Sequence, residues 1–168
     1  MKTAAPDTVS IPVPHLQQTL FEHYRRLSPA SRQLRFMGSF DEAALQRQAI
    51  TSSPRLALGI DCDGAPRAVV ELYLVDQTHA KIGLSVEDAY QGRGYGRALF
   101  LRGLREARAR NIEKVEVNFR NGNLAIRKLC IEEGGTVCCR GPDFMLHLSL
   151  KQKKSDCTPE FPAQHLSV

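Results

Sequence analysis

From Val86 to Ala98 the chain reads Val-Glu-Asp-Ala-Tyr-Gln-Gly-Arg-Gly-Tyr-Gly-Arg-Ala, with glycines at 92, 94 and 96. A glycine-rich turn between a strand and a helix exposes unpaired backbone N–H groups at the positive end of the helix dipole, and it removes side chains that would block a phosphate. Arg93 and Arg97 add guanidinium donors, which suits a polyanionic cofactor such as coenzyme A. Two other phosphate-binding patterns fail. No G-x-x-x-x-G-K-[ST] occurs, and Arg97 stands where the third glycine of G-x-G-x-x-G would fall. Glycines at such a turn also have a purely conformational use.

The elements around this segment follow from periodicity. Leu16, Leu20, Tyr24 and Leu27 recur at helical spacing; Ser28-Pro29 caps and restarts a helix through Leu34 and Phe36; a third helix begins near Asp41 and runs through Gln48. Arg55–Ile60 and Ala68–Val75 are apolar and β-branched around an Asp63-Gly64 turn, which predicts an antiparallel hairpin, and Lys81–Val86 predicts a further strand. Helix 96–110, strand 114–119, helix 123–133 and strand 144–150 complete the reading. The expected class is therefore α/β, a mixed and mostly antiparallel central sheet flanked by helices. One domain over 15–150 is expected, with 1–14 as an extended N-terminal segment and 151–168 as a flexible C-terminal tail.

The 168 residues carry 23 Lys plus Arg against 18 Asp plus Glu, a net charge of +5 that attracts phosphates without the dense basic blocks of a nucleic-acid tail. Nucleic acid is a weak expectation. No apolar run is long enough to span a membrane. The five cysteines (62, 130, 138, 139 and 157) are odd in number and have no metal-ligand spacing, so neither zinc nor a disulfide framework is expected, and the reducing cytoplasm is the expected compartment. Arg102, Arg105, Arg108 and Arg110 read as the solvated face of their helix, while Gly103 inside it implies either a close backbone approach or tolerance.

Gln91-Gly92-Arg93-Gly94-Tyr95-Gly96 resembles the [QR]-x-x-G-x-[GA] signature of the GCN5-related N-acetyltransferase superfamily, and Asn123–Gly134 resembles its N-x-x-A-I-x-x-[YA]-x-x-x-G element. The leading helices are similar, more loosely, to the acetyltransferase domain of bacterial protein lysine acetyltransferases. Agreement of two motifs with the element order carries the resemblance.

The resemblance implies direct transfer of an acetyl group from acetyl-CoA, with no metal, to an amine of a small molecule or a protein lysine, by a monomer or homodimer. The pantetheine arm would lie along Leu84, Ser85 and Val86. Gln91, Gly92, Arg93, Gly94, Tyr95, Gly96, Arg97 and Ala98 would hold the pyrophosphate. Asn123 would touch the cofactor arm, and as a helix N-cap it has a second, compatible role. Where many relatives have a tyrosine acid this chain has Cys130, which reads as a buried filler more readily than as a proton donor. Where some have a strand glutamate it has Lys81, a poor base, which leaves Glu71 and His79 as candidates for the base, against the plainer readings of Glu71 as an exposed strand residue and His79 as a turn residue. These departures motivate a second expectation, a catalytically silent acyl-CoA-binding module.

Overall fold

The computed structural model describes residues 7–120, 122–140 and 143–150. Seven strands form one sheet in the order β1-β2-β3-β4-β5-β7-β6: β1 (Thr8–Ser10), β2 (Leu56–Cys62), β3 (Ala65–Leu74), β4 (His79–Val86), β5 (Lys114–Arg120), β6 (Thr136–Arg140) and β7 (Asp143–Ser149). Among the described residues only β4 and β5 pair in parallel; the other neighbours are antiparallel, as the sequence leads one to expect.

Among the described residues five α-helices cover the sheet: α1 (Leu16–Arg26), α2 (Pro29–Phe36), α3 (Glu42–Thr51), α4 (Tyr95–Ala109) and α5 (Leu124–Glu132). Strand alternation sends successive side chains to opposite faces, so each face has its own core. Val70 and Leu72 pack with Leu99, Phe100 and Leu104 of α4, whereas Val69 packs with Leu20 and Tyr24 of α1 and Leu45 of α3. Gly103 is explained by close approach, because a Cβ there would lie 3.2 Å from Val70 Cγ2.

Two strands escaped the sequence reading. The stretch read as an extended lead-in supplies β1, which pairs with β2 from Thr8↔Ile60 to Ser10↔Leu58. Thr136–Arg140 forms β6, hairpinned onto β7. A third correction concerns the structural alternative for Glu71, an exposed strand position, since the side chain is fully buried. Residues 1–6, the tail 151–168 and Cys157 lie outside the described residues. No described helix is long and apolar enough to cross a membrane.

Candidate active site

The parallel pairing of β4 with β5 lasts only from His79↔Lys114 to Lys81↔Glu116. Beyond it β5 diverges while β3 stays paired with β4 as far as Val86, so one edge of Ile82–Val86 has no strand beside it. Unpaired peptide groups require another partner. A groove of about 560 Å³ runs there, bordered by Leu84, Ser85, Val86, Asn123 and the glycine loop.

At the loop end, Gly92 and Gly94 hold φ of +72° and +83°, left-handed backbone that side chains disfavour. Gly94 is the N-cap of α4, whose first backbone bond is Ala98 N–H to the Gly94 carbonyl at 3.0 Å. The amides of Tyr95, Gly96 and Arg97 precede that bond and stand at the dipole's positive end. Gln91 donates to the Val86 carbonyl at 3.0 Å and to Ser31 Oγ at 3.2 Å, tying the loop to β4 and to α2. The Arg93 guanidinium lies over the Tyr90 ring and that of Arg97 pairs with Glu132 across the groove. Free amides, exposed cations and an elongated groove together fit a diphosphate with a long arm.

At the other end the groove meets a smaller cavity of about 160 Å³ between the diverging strands; Leu34, Arg35, Leu84, Asn123 and Ile126 border both. Tyr73, Lys81 and Asn118 form its polar wall. Behind them Glu71 accepts hydrogen bonds from Tyr24, from Arg35 and, at 2.6 Å, from the Tyr73 hydroxyl. Burial alone would raise its carboxyl pKa, but Arg35 and the two phenols hold it below the ordinary carboxylate value. Burial, then the Glu71 charge, pushes Tyr73 up, so its phenol stays protonated at neutral pH. Arg35 reaches Glu71 only because residue 83 is glycine: a Cβ there would overlap the guanidinium.

The structure does not gather the three sequence candidates for proton transfer. Glu71 is sealed behind Tyr73 and Arg35. His79 opens β4 with Nε2 3.5 Å from Glu116, a carboxylate that also accepts from Asn118 at 3.0 Å and faces Lys81 Nζ at 3.3 Å. Cys130 is buried in the α4-side core, and burial pushes its thiol up to about 12. Counted from Asn123, the second motif's Ala-Ile pair falls on Ile126-Arg127, whereas the chain has it at Ala125-Ile126; counting from that pair places Leu129, which borders the groove, at the tyrosine position. Asn123 accepts from Ile126 N–H at 3.3 Å as the expected N-cap, and it borders both cavities. Sequence reasoning missed Arg35, Tyr73 and Asn118, for which only polarity within apolar surroundings was a signal.

The profile of the acetyltransferase (GNAT) family matches residues 18–131. The chain belongs to that family. Among solved structures, it is similar to the GNAT domain of S. lividans PAT, with TM-score 0.70 and 21% identity over 84% of this chain and 89% of that one. It is also similar to the ribosomal-protein-S18-alanine N-acetyltransferase from Escherichia coli (TM-score 0.67, 15% identity, 90% and 98% covered). A third likeness is to yncA from Salmonella typhimurium, a structure with its cofactor acetyl-CoA (TM-score 0.63, 17% identity, 88% and 95% covered). Among curated proteins no match is found. As a GNAT acetyltransferase the chain uses acetyl-CoA as co-substrate.

Proposed function

We propose that this GNAT chain transfers the acetyl group of acetyl-CoA directly to a primary amine, with both substrates bound at once. The observation that carries the reading is the shared border of two spaces: the groove that starts at the free amides of α4 and the cavity between β4 and β5 have Leu34, Arg35, Leu84, Asn123 and Ile126 in common. The diphosphate meets the Gln91–Gly96 loop together with Arg97 and Ala98. The arm takes the unpaired peptide edge of Leu84–Val86, which brings the thioester to the cavity, and the amine enters past Tyr73 and Lys81. Attack by the amine nitrogen forms the C–N bond as the C–S bond breaks; the amine's proton leaves and the departing thiolate takes one up. The free thiols Cys62, Cys130 and Cys138 suit a reducing cytoplasm.

Titration calorimetry with acetyl-CoA and thiol release with a panel of amines test this proposal. Binding followed by amine-dependent release is the expected result. Binding without release by any amine leaves the silent module, and absence of binding at submillimolar concentration removes both readings.

A further inference from the structure

We infer that the acceptor is the α-amino group of a peptide or protein N-terminus rather than a lysine side chain. The inference rests on the transferase reading above and starts from what the reaction demands of its nucleophile. Only the neutral amine attacks. A lysine ammonium, with a pKa near 10.4, must lose a proton first, whereas a peptide α-amine, at about 7.7–8.0, is substantially neutral near pH 7.5.

The cavity offers little help in removing a proton. Among the described residues that line it, none is aspartate or glutamate. The two nearby carboxylates are both committed. Glu71 is enclosed by Arg35, Tyr24 and Tyr73, and Glu116, 5% exposed, by Lys81, Asn118 and His79. Burial would raise the Glu116 pKa, but the Asn118 hydrogen bond and the Lys81 and His79 charges hold it below the ordinary value. Anions held this way are weak bases.

The charges that do face the cavity disfavour a cation. Lys81 occupies the wall, and Arg35 borders it with a buried Nε that has no hydrogen-bond partner among the described residues. A guanidinium repels an ammonium, and its N–H donates to the carbonyl that follows every peptide α-amine. Tyr73, protonated and fixed by Glu71 and by Ser52 at 2.7 Å, and Asn118 add polar contacts without charge. The wall thus accommodates a neutral nitrogen next to a peptide group.

The test uses the full chain, acetyl-CoA and one short peptide in two blocked forms, the first with a free α-amine and an acetylated lysine, the second with an acetylated α-amine and a free lysine. At pH 7.5 the first is expected to have the higher kcat/KM by about two-hundredfold, the scale of the difference in neutral amine. Its pH profile should rise with unit slope and level off near pH 8. Lys81→Glu, at a half-exposed side chain whose replacement leaves the core intact, puts a carboxylate on the wall and should narrow the preference at least tenfold. Faster turnover of the lysine form by the unaltered protein overturns the inference and leaves the transferase reading standing; an unchanged preference in Lys81→Glu removes its electrostatic basis. Acetyl-CoA binding with turnover of neither peptide nor any other amine overturns the transferase reading, and this inference with it.

Discussion

Glu71 is a fully buried carboxylate held by one guanidinium and two phenols. Its folded-state pKa lies below the unfolded one, so it contributes stability that is fully present above the unfolded value of about 4.3 and is lost as pH falls through the folded value. Glu71→Gln leaves Arg35 uncompensated and is expected to cost about 3 kcal/mol at pH 7. In urea unfolding measured from pH 7 downward, the variant should also show a flatter acid limb; an equally steep one would place the acid sensitivity elsewhere. Cys130 is the opposite case, a thiol that the core has turned into a filler. Cys130→Ala should keep turnover within a few-fold, whereas a hundredfold loss in steady-state assays, the scale of a removed proton donor, would give the thiol a chemical role. Gly94→Glu combines a left-handed backbone position with a negative charge at the helix terminus. The backbone strain costs about 1–2 kcal/mol, so the protein should remain folded by circular dichroism, while calorimetry should show acetyl-CoA affinity reduced at least tenfold.

Helix α2 joins the two ends of the site. Its first turn is held by Asp88, which accepts from Ser28 N–H at 2.9 Å, Ser28 Oγ at 2.7 Å and Ser31 Oγ at 2.8 Å, just ahead of the glycine loop. Its last turn sends Arg35 past Gly83 to Glu71. Gly83→Ala should therefore destabilise by about 3 kcal/mol through the displaced guanidinium, and in an Arg35→Ala background the same substitution should cost far less, which a double-mutant cycle on urea midpoints measures. The local features of α2 were legible in sequence: the Ser28 cap, Pro29 at the first position and the αα break all rest on neighbours within a few residues. So did the glycine loop and the Asp41 and Asn123 caps. What was not legible is pairing across distance. Glu71 looks like an outward strand residue until Tyr24, 47 positions away, and Arg35, 36 away, are brought over it. The short strands β1 and β6 owe their state to their partners β2 and β7, since three residues such as Thr-Val-Ser have too weak an alternation to declare themselves.

For the whole molecule, a net charge of +5 attracts polyanionic ligands towards the loop of free amides. Acetyl-CoA at a hundred times its dissociation constant should stabilise the fold by about 2.7 kcal/mol, raising the melting temperature in scanning calorimetry by roughly 5–10 °C; an unshifted transition would contradict a built site. The divergence of β4 from β5 means that the sheet is interrupted in its middle rather than finished at its borders. Solvent reaches peptide groups there that, in an uninterrupted ladder, would be among the slowest to exchange their hydrogens. On the binding mode proposed above, the amide-bearing arm of the thioester would stand in for the missing strand, and alternate amides between Ile82 and Val86 are then expected to report occupancy, slow when the gap is filled and fast when it is empty.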